Sequence, residues 1–294
     1  MKILILFNKI DAMSPVYDQE TFEQVEIVYH SLEKLGHTVS YLGVDLDLDT
    51  MLRRVEISKP DLIFNLVEGL ECQDSLIYIV PAVLDSAGYR YTGNSSETLF
   101  LTSNKVIAKS FFNQYDIPTP LIDPPNPPYI IKHKWNHGST GITTNSIIHD
   151  ETIPLVDEDC FIEQYIAGKE FTVSLVQNKN TVEILPIRTY SFISTSILDY
   201  DTKWVDGSSV IPTCDLCYED AEIGKVLEDI SLKCWDIFEM SGYARMDFRV
   251  DKNNCPYLLE VNANPSLSKN GALYNSAVYA GLNIDQIIDK IVSI

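Results

Sequence analysis

The sequence lacks an apolar run that could span a membrane. No stretch approaches the roughly 20 apolar residues that a spanning helix needs. The first apolar run, Ile3 to Phe7, is too short for a signal peptide and has no small-residue cleavage site. Six cysteines scattered through 294 residues suit a reducing compartment, because a chain of this size does not need disulfides to fold. We therefore expect a cytoplasmic protein.

Basic residues are also scarce. Lys and Arg number 22 against 42 Asp and Glu, so the formal net charge is −20. A field of this sign repels phosphate backbones and anionic lipid, and we expect neither nucleic acid nor a membrane as a partner. A small anionic ligand would need local lysines, backbone N–H groups or a metal to overcome this negative field. Hydrophobic residues make up 45% of the chain, which excludes intrinsic disorder.

No G-x-G-x-x-G follows the first strand, so the dinucleotide-binding fingerprint is absent. The first ninety or so residues instead alternate between two hydrophobic periods. Strand-like runs at Lys2–Phe7, Thr38–Leu42 and Asp61–Leu66 are separated by helical patterns that end at Gly36 and Gly88. Repeated β-α-β units predict a parallel sheet with helices on its faces.

Beyond this region the patterns change to hairpins. A predicted helix from Ser103 to Tyr115 places Lys105 and Lys109 on one face. The predicted strands and helices that follow are Tyr129–His133, Ile142–Ile148, Cys160–Ile166, Phe171–Val176, an amphipathic helix ending before Gly242, a hairpin from Tyr243 to Asn262 and a C-terminal helix from Ile284. We divide the chain into lobes at 1–95, 96–178 and 179–294.

The Tyr243–Asn262 hairpin concentrates polar side chains on one face. If its turn centres between Asn253 and Asn254, paired residue numbers sum to 507, and Asp247 opposes Glu260. Arg245 then opposes Asn262, and residues two apart share a face. The intervening residues are expected to point into the core: Met246, Phe248, Leu259 and Val261.

Two opposed carboxylates repel each other unless a positive charge lies between them. The oxygens of Asp247, Glu260 and Asn262 are hard ligands that suit Mg²⁺ shared with nucleotide phosphates. The alternative is the ordinary solvent-facing side of an antiparallel hairpin, and a one-residue bulge would alter the register. We favour the metal site.

The segment Arg245-x-Asp247 followed by Leu-Leu-Glu260-Val-Asn262-Ala-Asn-Pro265 resembles the C-terminal metal motif of ATP-grasp ligases, in particular the D-alanine–D-alanine ligases. From about residue 60 onwards, further segments resemble that family in the same order: Tyr91-Thr-Gly93, Asn104-Lys105, Pro118-Thr-Pro120, Ile131-Lys132, Gly138-Ser-Thr-Gly141, Ile162-Glu163-Gln-Tyr-Ile166, Gly168-Lys-Glu170 and Tyr200-Asp-Thr-Lys203. The resemblance implies an α/β fold in which an N-terminal parallel lobe precedes two mixed α+β lobes that clamp ATP between antiparallel sheets. The absence of a Walker A sequence is consistent with this mode of binding.

The resemblance also implies a role for each matching residue. The nucleotide would be bound by Lys105, Lys132, Gly138, Ser139, Thr140, Glu163, Tyr165, Ile166 and Glu170. Asp247, Glu260 and Asn262 would hold Mg²⁺, as two ions, while Arg245 and Lys203 would act on the transferred phosphate. Lysines supply point charges and a glycine turn can aim N–H groups at phosphate oxygens. Taken singly, each has an ordinary alternative as a surface lysine or a flexible hairpin tip.

The amino-acid half departs from the family. Asn8-Lys-Ile-Asp-Ala-Met13 stands where the family has a glycine-rich loop with a glutamate, and Leu66-Val-Glu-Gly69 lacks the family histidine. Ser266-Leu-Ser-Lys-Asn-Gly271 replaces the turn that binds the second carboxylate. The candidate substrate residues are Glu68, Ser268 and Lys269.

We predict an ATP-dependent carboxylate–amine ligase that joins amino acids or peptides through an acyl phosphate, with an altered amino-acid pocket. Its partners would be a small-molecule carboxylate and an amine, and a homodimer is one oligomeric state that the sequence allows. The alternatives are an authentic D-alanine–D-alanine ligase and a catalytically silent ATP-binding regulatory module.

Cys214-x-x-Cys217 invites a zinc or redox interpretation. A structural zinc needs four ligands, and no second pair lies nearby in the sequence. We interpret the two cysteines as incidental thiols.

Overall fold

We analysed a computed structural model of the chain. It describes residues 1–10, 16–136, 138, 141–150, 155–192, 197, 210–214, 216 and 220–293. Within these ranges the protein is a mixed α/β structure with one parallel and two antiparallel sheets, as predicted. None of the helices in this part combines the length and apolar character that a membrane span requires.

The N-terminal lobe is built on a parallel sheet in the order β2-β1-β3. Its strands and helices are β1 (Lys2–Asn8), α1 (Val16–Lys34), β2 (Thr38–Val44), α2 (Leu48–Ser58), β3 (Leu62–Leu66) and α3 (Ile79–Ala87). β1 is the central strand and is buried on both faces, as parallel strands under helices usually are. The predicted β-α-β alternation is confirmed.

A second lobe follows, and its antiparallel sheet has the order β5-β4-β6. It comprises α4 (Ser96–Ser103), α5 (Lys105–Gln114), β4 (Tyr129–His133), β5 (Ile147–Ile148) and β6 (Cys160–Gln164). The predicted strand Ile142–Ile148 was too long. Residues 144–146 form a 3₁₀ turn, and the Thr143 N–H donates to Ser146 Oγ at 3.0 Å, so a local side-chain bond replaces strand pairing there.

The third sheet is antiparallel, with β8 added beside β7 to the order β10-β9-β7-β11-β12. Its strands are β7 (Gly168–Asn178), β8 (Thr181–Ile184), β9 (Arg188–Phe192), β10 (Val210–Thr213), β11 (Tyr243–Asp251) and β12 (Pro256–Asn262). The helices α6 (Ala221–Ile237), α7 (Ala272–Tyr279) and α8 (Ile284–Val292) complete the chain. Because β7 pairs with β11 from Gly168 to Val176, it lies with the third sheet rather than with the central lobe to which we assigned residues 96–178. The three lobe boundaries stay predictions.

Asn94 connects the N-terminal sheet region to the third sheet through three hydrogen bonds of its side-chain amide. Its Nδ2 donates to the carbonyls of Tyr243 at 3.0 Å and Ala263 at 2.7 Å. Its Oδ1 accepts from the Ser241 N–H at 2.8 Å. These bonds fix both ends of the β11–β12 hairpin against the N-terminal lobe.

Candidate active site

The β11–β12 hairpin brings together the four polar residues predicted for it. Arg245 pairs with Asn262 and Asp247 with Glu260, as the sequence register requires. Nearer the turn the pairing is displaced by one residue, with Phe248 opposite Leu258. The turn is therefore centred on Asn253, half a residue earlier than predicted, and a β-bulge between these pairs restores the expected register at the site.

The bulge corrects one prediction. Leu259 was expected to point into the core with Met246 and Phe248. The core position is instead taken by Leu258, which is fully buried, and Leu259 lines the cleft. A bulge places two consecutive residues opposite one partner, so Leu259 shares the cleft side with Glu260.

A positive charge does lie between the opposed carboxylates. Arg245 donates through Nε and Nη2 to Asp247 Oδ2 at 3.1 and 2.9 Å, and its Nη2 is 3.8 Å from Glu260 Oε1. Burial opposes the charge of Arg245, but the two carboxylates outweigh it and raise its pKa. Asp247 Oδ1 accepts from the Thr172 hydroxyl at 2.8 Å, which orients the carboxylate.

Lys105 approaches the same carboxylates from α5. Asn104 caps this helix, its side chain accepting from the N–H groups of Val106 and Ile107 at 3.0 and 3.1 Å, so Lys105 is the first helical residue. Lys105 Nζ donates to the carbonyl of Asn136 at 2.7 Å and lies 3.5 Å from Glu260 Oε2. The phosphate lysine predicted from Asn104-Lys105 therefore faces the hairpin.

The oxygens of Asp247, Glu260 and Asn262 fit a hard cation. The carboxylates of Asp247 and Glu260 are 14% and 27% exposed, and the two residues lie opposite each other on the paired strands β11 and β12. Asn262 Oδ1 accepts from the Asn264 N–H at 3.0 Å, which holds the amide in place. Among the described residues, no three or more His, Cys, Asp or Glu side chains are clustered so that they could hold a metal ion by themselves. A Mg²⁺ ion would thus depend on two carboxylates, an amide oxygen and ligand phosphates.

Glu163 lines the cleft and pairs with two lysines, of which only Lys132 also lines the cleft. Lys132 Nζ donates to Glu163 Oε1 at 2.6 Å, and Lys109 Nζ lies 2.8 Å from Oε2. Burial opposes ionisation of Glu163, but the two ammonium groups hold its pKa below the usual value. The sequence analysis placed Lys109 beside Lys105 on one helix face but gave it no role.

Glu170 is also paired. Arg249 donates to Glu170 Oε2 through Nε at 3.2 Å and Nη2 at 3.0 Å, and through Nη1 to the carbonyl of Ile166 at 2.9 Å. Its guanidinium lies 5.1 Å from the centre of the Tyr165 ring. Arg249 thus organises three predicted nucleotide residues. Its position two residues after Asp247 on one strand was the signal that could have revealed it.

These residues line one cleft of about 770 Å³, a volume that includes space open to solvent. Ten of the residues that line it take part in the contacts of the site: Lys105, Lys132, Asn136, Glu163, Tyr165, Ile166, Glu170, Asp247, Arg249 and Glu260. Apolar walls are supplied by Ile130, Ile142, Ile197 and Leu259. The mixture of apolar walls with a few polar groups suits a small-molecule site.

Several predicted residues lie outside the described ranges: Ser139, Thr140, Lys203 and Cys217. Gly138 and Gly141, which flank two of them, have φ values of +65° and +75°, a conformation that favours glycine. Cys214 Sγ lies 3.9 Å from the Ser276 hydroxyl. The roles predicted for these residues stay predictions.

The candidate substrate residues meet helix α1. Ser268 is fully buried and donates to Glu20 Oε2 at 3.1 Å, and Gln24 donates to Glu68 Oε1 at 2.8 Å. Burial raises the pKa of Glu20, although hydrogen bonds from Ser268 and Asn270 oppose the shift. Lys269 is exposed. The sequence analysis did not identify Glu20, which stands outside the motif region.

Comparison with known proteins is consistent with this geometry. Residues 143–293 match the family model described as "D-ala D-ala ligase C-terminus". The chain is similar to the D-alanine–D-alanine ligase of Sphingopyxis alaskensis, with 27% identity over 290 residues covering 90% of this chain and 89% of the relative.

Two solved structures share the fold. The D-alanine–D-alanine ligase from Bacillus anthracis complexed with ATP has a TM-score of 0.78 and 23% identity, covering 100% of this chain and 96% of that one. The VanG D-Ala:D-Ser ligase from Enterococcus faecalis has a TM-score of 0.73 and 15% identity, covering 99% and 98%.

Proposed function

We propose that this chain, which belongs to the D-alanine–D-alanine ligase family, joins a small carboxylate to an amine and that its two substrates are not both D-alanine. As a member of this family it is an ATP-dependent ligase that forms an amide bond. The finer proposal concerns the amino-acid pocket, which departs from the family in sequence while the nucleotide half retains its motifs.

The observation that carries the proposal is the convergence of separate motifs in one cleft. Glu163, Glu170, Asp247, Glu260 and Lys132 line the same cleft, and they come from the strands β6, β7, β11, β12 and β4. A regulatory module that only binds ATP would not need Arg245 with both carboxylates in a shared network. Such a set supports phosphoryl transfer by positioning and charge neutralisation.

In the proposed reaction a substrate carboxylate attacks the γ-phosphate of ATP, and ADP leaves. An amine then displaces phosphate from the acyl phosphate to form the amide. Lys105 and Lys132 would bind phosphate oxygens, and Arg245 would stabilise negative charge that develops on the transferred group. Mg²⁺ held by Asp247, Glu260 and Asn262 would neutralise the phosphates when bound, and two ions are our proposal.

Three observations support a changed amino-acid pocket. Ser268 is occupied by Glu20 and by the Ser266 hydroxyl, which donates to it at 2.9 Å. Lys269 is exposed at the same turn. Glu68 and Glu20 add two carboxylates near this turn, and these suit a substrate with an ammonium group. A buried ammonium or carboxylate without a partner costs several kcal/mol, enough to change specificity by orders of magnitude.

The second candidate is an authentic D-alanine–D-alanine ligase, which the names of the relatives favour. The test is ADP release with ATP and Mg²⁺ against a panel of D- and L-amino acids, dipeptides and small acids. We expect turnover with a pair that is not two D-alanines. If D-alanine alone supports a kcat/KM of about 10⁴ M⁻¹s⁻¹ or more, the plain family function holds and the proposal fails. Absence of ADP release with any acceptor, in a protein that binds ATP, would favour the silent module.

A further inference from the structure

Lys109 is an ammonium buried behind the cleft. Its side chain is only 1% exposed, and it does not line the cleft, unlike Lys132. Lys109 Nζ lies 2.8 Å from Glu163 Oε2 and donates to Thr119 Oγ1 at 2.7 Å. Thr119 in turn donates its proton to the carbonyl of Leu258 at 2.8 Å. This orientation makes the Thr119 oxygen an acceptor and fixes Lys109 from the side opposite Glu163.

Glu163 is shared by two lysines that differ in their access to a ligand. Lys132 is 11% exposed, lines the cleft and donates to Oε1. Phosphate oxygens in the cleft would compete with Glu163 for Lys132, because both are anions and one ammonium cannot fully satisfy both. Lys109 has no such route, since it is enclosed by α5, Thr119 and Glu163. The pairing at Oε2 therefore persists when the pairing at Oε1 is given up.

Resting on the proposed function, we propose that Lys109 is a positioning residue that keeps Glu163 ionised and in place while Lys132 turns to the nucleotide phosphates. Without Lys109, movement of Lys132 would leave a carboxylate that is 1% exposed with neither ammonium. A buried carboxylate in that state takes up a proton or rotates away. Binding of the base and binding of the phosphates are thus coupled through one buried lysine.

The segment Ile162–Ile166, which contains Glu163, resembles the segment that contacts adenine in the family, so the coupling has a consequence for base selection. A carboxylate accepts a hydrogen bond from an exocyclic amino group, as on adenine, and repels a carbonyl oxygen, as on hypoxanthine. A protonated or displaced Glu163 loses that distinction. Lys109 therefore contributes to the choice of ATP over ITP although it touches neither nucleotide.

The test compares Lys109→Met with wild type and with Lys290→Met, a control that removes an ion-paired lysine that is 20% exposed and does not line the cleft. The Kd values for ATP and ITP with Mg²⁺ are measured by calorimetry, independently of ligase turnover. In the wild type we expect ATP to bind at least about tenfold more tightly than ITP. In Lys109→Met we expect ATP binding to weaken about tenfold or more, with ITP changed little. Lys109→Arg should restore part of the preference, and Lys290→Met should retain all of it.

Thr119→Val covers the case in which Lys109→Met does not fold. It removes the hydroxyl that fixes Lys109 and should reduce the ATP preference in the same direction by a smaller factor. Unchanged Kd values and an unchanged ATP-to-ITP ratio in folded Lys109→Met, or in Thr119→Val, would overturn the inference. So would equal affinity for the two nucleotides in the wild type. None of these outcomes depends on amide formation, so failure of the ligase proposal is separable from failure of this one.

Discussion

Glu260→Gln separates the chemistry of the cleft from its stability. The substitution keeps the shape of the side chain and removes one negative charge. Glu260 lies 3.5 Å from Lys105 Nζ and 3.8 Å from Arg245 Nη2. Each contact corresponds to about 4–5 kcal/mol at an effective dielectric constant of about 20. Glu260 is 27% exposed, so solvent screening and the cost of desolvation offset most of this energy. We expect a net loss of only about 1 kcal/mol.

The effect on turnover should be much larger. Lys105 keeps the Asn136 carbonyl and Arg245 keeps Asp247, so folding is nearly preserved, with a Tm lower by about 2 °C. Loss of a charged metal ligand that faces the phosphates should reduce kcat by about 10²–10³-fold, or about 3–4 kcal/mol. ADP release and a Mg²⁺ titration measure the change, with Glu56→Gln on the exposed face of α2 as the matched control. ADP release within about threefold of wild type, with unaltered Mg²⁺ dependence, would refute the metal assignment.

Three further predictions concern stability and the cysteines. Asn94→Ala should lower the free energy of unfolding by about 3 kcal/mol, because three hydrogen bonds of a buried amide are lost; a urea titration measures this, and a loss below about 1 kcal/mol would show that the lobes do not depend on it. Hydrogen bonds from Lys290 and the Asn178 amide lower the pKa of Glu183 from 4.5. Its contribution to the free energy of unfolding is therefore present above that pH and is lost as the pH falls through the folded-state pKa. Glu183→Gln should lower the free energy of unfolding by about 0.5 kcal/mol at neutral pH, and this difference should disappear in acid. Serine at both Cys214 and Cys217 should leave activity and metal content unchanged, whereas stoichiometric zinc lost in the double variant would contradict this.

The hairpin shows what the sequence could and could not predict. The pairs Asp247–Glu260 and Arg245–Asn262 were correct, although the centre of the turn was placed half a residue too late and the bulge was not identified. The two errors cancel at the site. The doublet Leu258-Leu259 conceals the bulge, because either leucine can fill a core position, and only packing in the core with Phe112 and Leu227 selects Leu258.

The ion pairs of the cleft could not be predicted for a different reason. Glu163 and Lys132 are 31 residues apart and Glu170 and Arg249 are 79 apart, so their contact depends on which strands pair, β4 with β6 and β7 with β11. The sequence analysis also missed α4, whose buried face includes Thr98. A helix buried by polar as well as apolar side chains has no clear amphipathic stripe. Local periodicity predicted the strands that line the cleft but missed the helices α2 and α7 and the strands β8, β9 and β10, and the tertiary pairing of charges lay beyond it.

The mutual pairing of charges in the cleft has a kinetic consequence. The described lysines and arginines that line it each face a carboxylate: Lys105 with Glu260, Lys132 with Glu163 and Arg249 with Glu170. The pocket therefore presents little exposed positive potential, and the chain as a whole carries a charge of −20. A nucleotide is not drawn in by long-range attraction of the kind that accelerates diffusional encounter. It enters by taking over partners that the carboxylates already hold, so the rate of its association depends on the exchange of these internal pairs rather than on electrostatic steering.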